Sequence, residues 1–342
     1  MIYKGLKVGV FTITDAINYG AFYQMYGMAK YMEDNGADVT VYHCGNSLSR
    51  QLIKYFSPNL GRQLRKLKLL SLFGKEKKEI KVKKYKGEHL DAAILGSDEI
   101  WNLQNPSFDR FEQYYGLGLN AKKIVAYAPS IGYASQEFLI ENERFASGLK
   151  NIDTVLARDS GTKRVAETIL GHEVQEVADP TILFDGWSRI GEGLQPLNEG
   201  HVLYYGYTTT PPFKEVLQEF CDSEGLVLVT AGFHMHDWCS INYKASPFDF
   251  VNLIGSSKFL FTSTFHGTVM GTLLGKPLAF YATGQKVADY GGKLGMADSH
   301  LGEGCTIEDL MKAISVDISP RREKLDDLRD RSRVLLQEAV LG

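Results

Sequence analysis

The segment Thr262-Ser263-Thr264-Phe265-His266-Gly267-Thr268 puts a histidine where a β-type run, 259–262, gives way to helical spacing over 264–274. Ser263 or Thr264 can cap such a helix, leaving His266 in its first turn beside backbone N–H groups that lack intrahelical partners. A helix start of this kind attracts anions, and an imidazole there can pass a proton to or from a reacting group. Ser263, Thr264, Gly267 and Thr268 are then candidate anion ligands. The same pattern also suits a histidine satisfied by a backbone carbonyl.

Other places carry side chains of similar promise. Asn18-Tyr19-Gly20 lies in the first strand-to-helix turn; its one glycine is no dinucleotide fingerprint but lets backbone approach a ligand closely. An ordinary turn is the competing reading. Gly96-Ser97-Asp98-Glu99-Ile100-Trp101-Asn102 follows the β-type run 92–95. There Asp98 and Glu99 suit sugar hydroxyls and Trp101 offers a face to a sugar ring, unless the segment is a helix cap with Trp101 in the core. Arg158, at the end of the run 154–157, can fork onto a carboxylate or phosphate, or pair with adjacent Asp159. Lys286 follows the run 278–281 in a glycine-containing loop, as an anion ligand or a solvated side chain. His234, His236, Asp237 and Cys239 are metal-capable, but no second cluster completes a zinc pattern, so no metal is assigned.

The elements that must position these residues alternate between β-type and helical patterns. Residues 7–13 read as a buried strand, 21–35 as a helix stopped by Gly36, and 38–42 as a second strand. A βαβ unit implies a parallel sheet with a right-handed crossover. Strands follow at 92–95, 124–127, 154–157 and 174–177, with helices at 135–149 and 160–170. A glycine- and tryptophan-containing stretch, 184–199, reads as a linker. A second alternating series has strands at 201–205, 227–230, 259–262 and 278–281, with helices at 213–223, 248–254 and 264–274. A long amphipathic helix at 320–340, opened by Pro320, ends the chain.

The expectation is an α/β protein with two Rossmann-like parallel-sheet domains, GT-B-like, and its active site in the interdomain cleft. The bounds are 1–183, a linker at 184–200, 201–318, and a helix at 319–342 returning to the first domain. At 342 residues the chain exceeds a single core, and 44% apolar with 23% charged residues is a globular composition. The net charge of −3 argues against a nucleic-acid partner. Cys44, Cys221, Cys239 and Cys305 show no pairing pattern, and no apolar run suits a signal peptide or a membrane span. A cytoplasmic location follows as the expectation. The insert 50–86 holds thirteen Lys/Arg against Glu76 and Glu79, which reads as a solvated helical face or as a contact with anionic membrane at its inner face.

Six stretches in order, NYGAFYQMYGMAKYM, GSDEIWN, YAPSIG, LARDSGT, VADPTILF and TSTFHGTVMGTLLGKPLAFY, make the chain resemble the polysaccharide pyruvyl transferases. The resemblance spans nearly the whole chain. It implies a GT-B-like fold and transfer of pyruvate from phosphoenolpyruvate, a co-substrate rather than a cofactor, to a lipid- or nucleotide-linked saccharide. It implies His266 as catalytic residue, Arg158 and Lys286 as donor ligands, and Asn18 and Asp98 as groups orienting the acceptor. Many members carry an arginine where this chain has Thr264, which leaves that donor contact missing or supplied by Lys276 or Lys286. A nucleotide-sugar glycosyltransferase and a non-catalytic saccharide-binding relative are the alternatives sharing this architecture.

Overall fold

The computed structural model describes residues 1–43, 59–105, 111–190, 200–207, 211–281 and 285–342, apart from the side chains of Gln285 and Lys286. Strands β1 (Lys7–Phe11), β2 (Asp38–His43), β3 (Val82–Lys84), β4 (Leu90–Leu95), β5 (Ala121–Tyr127), β6 (Thr154–Ala157) and β7 (Gln175–Glu176) form one sheet. Their order is β3-β2-β1-β4-β5-β6-β7. The second sheet, in order β10-β9-β8-β11-β12, uses β8 (Val202–Tyr205), β9 (Leu228–Ala231), β10 (Ile241–Tyr243), β11 (Phe259–Thr262) and β12 (Leu278–Phe280). Every pairing is parallel.

Parallel strands need crossovers, and the chain supplies helices. In the first half these are α1 (Tyr19–Asp34), α2 (Leu60–Glu76), α3 (Gln136–Glu141), α4 (Glu143–Leu149) and α5 (Ser160–Leu170). Two short helices, α6 (Pro180–Leu183) and α7 (Trp187–Ile190), join the halves. Then come α8 (Lys214–Ser223), α9 (Pro247–Ser256), α10 (Phe265–Leu273), α11 (Gln285–Lys293), α12 (Ile307–Ile314) and α13 (Ser319–Leu341). The order in which strands are laid down reverses between β1 and β4 in one sheet and between β8 and β11 in the other. Crevices open at the carboxyl ends of strands at such points. Asn18 and Asp98 follow the first pair of strands, and Tyr207 and His266 the second.

Several expectations are corrected. The helix expected at 135–149 is two, because the Asn142 side chain accepts the Phe145 N–H and starts a new helix. The stretch 184–199 is no simple linker up to residue 190: Trp187 is buried against Tyr23 and Tyr26, and its indole N–H bonds the Thr181 carbonyl at 2.8 Å. Residues 191–199 lie outside the described residues. In helix α13 the Ser332 hydroxyl accepts the Ala178 N–H at 2.8 Å and Arg329 donates to the Ile182 carbonyl at 2.7 Å.

The basic insert differs most from its solvated reading. Residues 50–58 lie outside the described residues, but α2 turns Arg65, Leu69, Phe73 and Glu76 inward. Arg65 is buried and donates to the carbonyls of Gly232 (2.6 and 3.0 Å) and Tyr243 (3.0 Å) in the second half. Glu76 accepts the Phe248 N–H at 2.9 Å, at the start of α9. Beside this strap runs an aromatic seam. Tyr19 of α1 stacks on Phe250 of α9 at 4.2 Å and 8° between planes, and its hydroxyl donates to the Ala245 carbonyl at 2.8 Å. Tyr23 donates to the Pro247 carbonyl at 2.7 Å. One apolar core runs through both halves, from Val8 and Ile94 to Leu203 and Leu260.

Candidate active site

The sequence of β11 and its following turn dictates how His266 is held. Thr264 is extended (φ −114°, ψ 147°) and caps α10, its hydroxyl accepting the Gly267 N–H at 3.0 Å. The Thr268 N–H goes to the Thr264 carbonyl, and the Thr268 hydroxyl to the same carbonyl at 3.0 Å. Ser263 is buried and bonds the Tyr204 hydroxyl. Thus Gly267, Thr268, Ser263 and Thr264 serve the helix start itself; the Gly267 and Thr268 N–H groups are not spare for an anion, because the threonine cap consumes the third amide of the helix. Their task is to fix the second residue, His266.

His266 points across to the first half. Its Nε2 lies 3.6 Å from Asp179 Oδ2, and the same oxygen accepts a hydrogen bond from Arg158 Nη1 at 3.0 Å. Asp179 Oδ1 accepts the Thr181 N–H at 3.0 Å, making Asp179 the cap of α6 with Pro180 in the first turn. Burial opposes ionisation of Asp179, but His266 and Arg158 outweigh it and hold the carboxyl well below the usual range. For Arg158 burial likewise works against the charge, and Asp179, Asp98 and Asp159 keep its pKa raised. The guanidinium sits 5.4 Å over the Phe265 ring, and its buried Nε has no hydrogen-bond partner. Such a donor suits an incoming oxyanion.

The ring of His266 packs on the start of α1, and this explains Gly20. A methyl group there would lie 2.1 Å from His266 Nδ1. The glycine admits the catalytic candidate, where the sequence pattern suggested that it admits a ligand. Its neighbours differ in use. Asn18 caps α1 through the Ala21 N–H (3.1 Å) and donates to the Tyr207 hydroxyl at 3.0 Å, bridging the halves. Tyr19 is only 2% exposed within the aromatic seam, so it holds the halves together and offers an acceptor little surface.

The Gly96–Asn102 turn divides similarly. Trp101 is fully buried against Phe145, with its N–H donated to the Tyr114 carbonyl at 2.8 Å, so it presents no face to a sugar. Asp98 has φ +76°, an uncommon conformation for a residue with a side chain and a mark of functional turns. It is near enough to influence both the Arg158 guanidinium and the Tyr207 hydroxyl. Glu99 accepts from Asn102 Nδ2 at 2.9 Å. Lys276 sits beyond the far end of α10 and donates to the Gly255 carbonyl at 2.7 Å, so it cannot replace the missing arginine. The Lys286 side chain lies outside the described residues. Among the described residues no three His, Cys, Asp or Glu gather as a metal would require.

Two solvent-open clefts lie near the contacts of His266. One is lined by Arg158, Asp179, Phe265, Asp289 and Lys293 among others. The other starts at Asn18 and Tyr19, just before Gly20, and reaches Tyr207, Phe233 and His234. Two residues here escape a reading of the sequence alone. Asp179 marks a break before proline there, though Asp-Pro after a strand is also a cap-plus-first-turn signal. Lys293, paired with Glu176 at 2.5 Å, carries no local signal at all.

Known proteins can now be set beside this geometry. A family model described as polysaccharide pyruvyl transferase matches residues 18–284. No curated protein matches the chain. Among solved structures, the UDP-GlcNAc 2-epimerase of Methanocaldococcus jannaschii superposes with a TM-score of 0.54 at 10% identity, covering 97% of this chain and 98% of that one. A putative UDP-N-acetylglucosamine 2-epimerase from Listeria monocytogenes gives 0.54 at 12% identity, covering 97% and 95%. The Neisseria meningitidis enzyme bound to UDP-GlcNAc gives 0.52 at 10%, covering 98% and 99%. At such identities the likeness is one of fold, and that fold is GT-B-like. No helix among the described residues is long and apolar enough to cross a membrane.

Proposed function

We propose, starting from the fact that this chain belongs to the polysaccharide pyruvyl transferase family, that it moves a pyruvyl group from phosphoenolpyruvate onto a saccharide as a ketal. The product belongs to surface-polysaccharide biosynthesis. The observation that carries the reading is the single Asp179 oxygen that accepts from Arg158 and lies 3.6 Å from His266 Nε2. One cleft is lined by Arg158 and Lys293 together with Asp159, Asp179 and Asp289, and the other is free of charged lining residues.

In this reading the donor lies against Arg158, whose unpartnered Nε reaches its carboxylate or phosphate, with Lys286 and Lys293 as further cations. A proton delivered to the donor's methylene carbon leaves the adjacent carbon cationic, and an acceptor hydroxyl adds there and releases its proton. The C–O bond to phosphate breaks, and a neighbouring hydroxyl closes the ketal with loss of a second proton. One of the two released protons replaces that given to carbon; the other leaves with inorganic phosphate. His266 passes these protons, and Asp179 fixes its ring and balances its charge. Asn18, Asp98 and Glu99 orient the acceptor. The scheme calls on no metal or organic cofactor.

The test is incubation of lipid-linked and nucleotide-linked sugars with phosphoenolpyruvate, read by mass spectrometry for a carboxyethylidene group and by phosphate release. Thermal stabilisation by phosphoenolpyruvate supports the reading. Stabilisation by UDP or GDP alone, with no product, replaces it with nucleotide-sugar transfer. The same reading puts the enzyme in the cytoplasm, with residues 50–86 toward an anionic membrane. In its support α2 exposes Leu60, Leu64 and Leu67 beside Arg62 and Lys68. Salt-sensitive pelleting with anionic liposomes is expected, and no pelleting at low ionic strength rejects it.

A further inference from the structure

The cleft beginning at Asn18 is chemically unlike the one holding Arg158. No residue lining it carries a formal charge, whereas the other is lined by Arg158, Asp159, Asp179, Asp289 and Lys293. Its rim is a run of angled rings: Tyr207 and His234 lie 5.1 Å apart at 55°, and His234 and Phe233 5.3 Å apart at 88°, with the Lys66 ammonium 5.4 Å over the Phe233 ring from outside the lining. Tyr207 is 48% and Phe233 40% exposed, large apolar area to leave in water at the mouth of a concave surface. The floor is closed by Tyr19 under Gly232, whose φ is +103° and where an added methyl group would lie 2.9 Å from the Tyr19 ring. Polar groups sit at the edge. Asn18 holds the Tyr207 hydroxyl at 3.0 Å, and burial lowers the His234 pKa, so its neutral ring offers one donor and one acceptor.

Apolar ring faces set at angles around a concave surface, with neutral donors and acceptors at their edge, suit one chemistry. A pyranose ring has an apolar C–H face and a belt of hydroxyls, and needs no counter-charge. We propose that Tyr207, His234 and Phe233 form the platform on which an uncharged pyranose ring of the acceptor stacks, with Asn18 and His234 taking its hydroxyls. The proposal deepens the saccharide-acceptor reading and rests on it. It also moves the sugar-stacking role from buried Trp101 to the opposite half, and gives use to the His234 segment that no metal claims. Asn18, at one edge of this cleft, lies two residues before Gly20, against which the His266 ring packs.

The test uses the intact protein without donor. Saturation-transfer NMR is run with methyl β-glucopyranoside, methyl β-galactopyranoside and methyl α-mannopyranoside as probes. At least one should receive saturation on its ring protons. In the Tyr207→Ala/Phe233→Ala double variant that transfer should fall about tenfold, the scale expected when two aromatic faces are removed. Because Tyr207→Ala also removes the Asn18 bond between the halves, the Phe233→Ala single variant is the control: its saturation transfer should fall while its melting curve by circular dichroism stays unchanged. Equal transfer in the variant, or no transfer to any probe with wild type, overturns the platform. The two readings fail separately. A pyruvylated product from wild type, with undiminished saturation transfer in the variant, sinks the platform alone. Saturation transfer abolished in the variant, with no product from phosphoenolpyruvate and wild type, sinks the transferase reading alone.

Discussion

Among the contacts that join the halves of the molecule, two are built from opposite materials. At the aromatic seam, Tyr19, Tyr23 and Phe250 stack in nearly parallel planes and both hydroxyls end on carbonyls of the other half. At the charged junction, Arg158, Asp179 and His266 meet through one carboxylate oxygen. Rings buried with satisfied hydroxyls are good adhesive, about 0.5–1.5 kcal/mol per pair beyond their area. A buried charge cluster is poor adhesive, because desolvation cancels much of its Coulomb gain. Yet the junction is where a guanidinium nitrogen is left without a partner. The seam therefore supplies the rigidity that lets the junction remain incomplete and ready for a ligand.

Breaking the junction should cost activity before stability. His266→Ala should lower turnover about 10²–10⁴-fold, the range for a lost general acid/base, with melting nearly unchanged. Steady-state phosphate release checks this, and turnover within twofold of wild type would reject the role. Asp179→Asn cuts deeper into the fold, since it leaves the Arg158 guanidinium buried without its counter-charge. About 3–5 kcal/mol of stability should go, measured by urea unfolding. A variant as stable as wild type would show that the pair is solvated or replaced. Gly20→Ala is the sharper probe, because it touches neither charge. Its methyl overlaps His266 Nδ1, so turnover should fall about tenfold, on the order of 1.4 kcal/mol, while α1 gains intrinsic helix propensity. Unchanged turnover with a stabler protein would mean the ring can sit elsewhere.

This contrast also explains what can be read from the sequence. The strands β1, β4, β6, β8 and β11 are short apolar runs followed by turn residues, so their type and order are plain. β3 and β10 escape notice because Val82–Lys84 and Ile241–Tyr243 are three-residue edge strands without an apolar run. His266 and Arg158 are legible because each follows a clear strand, but Asp179, which ties them together, lies after a two-residue strand. Trp101 sits on the other side of its turn from the one expected; nothing local distinguishes a tryptophan facing a cleft from one packed on Phe145. In the basic insert, average charge hides a pattern. Arg65, Leu69, Phe73 and Glu76 recur at helical spacing, and an arginine and a glutamate on that apolar stripe are the signal of a buried, bonded strap.

The strap yields the smallest effect, and one with a definite sign. Burial lifts the Glu76 pKa from 4.5 to about 7, against the opposing hydrogen bonds from Ser246 and the Phe248 amide. Between those values the folded protein keeps a proton that the unfolded chain releases, so stability is full below pH 4.5 and falls as pH rises toward 7. Glu76→Gln keeps an acceptor for the Phe248 N–H and removes the titration. The decline between pH 4.5 and 7 should then flatten by on the order of 1–2 kcal/mol. Urea unfolding of both proteins across that range reads it. Parallel pH curves would mean that the carboxyl is hydrated and that Arg65, with its carbonyl bonds, carries the strap alone.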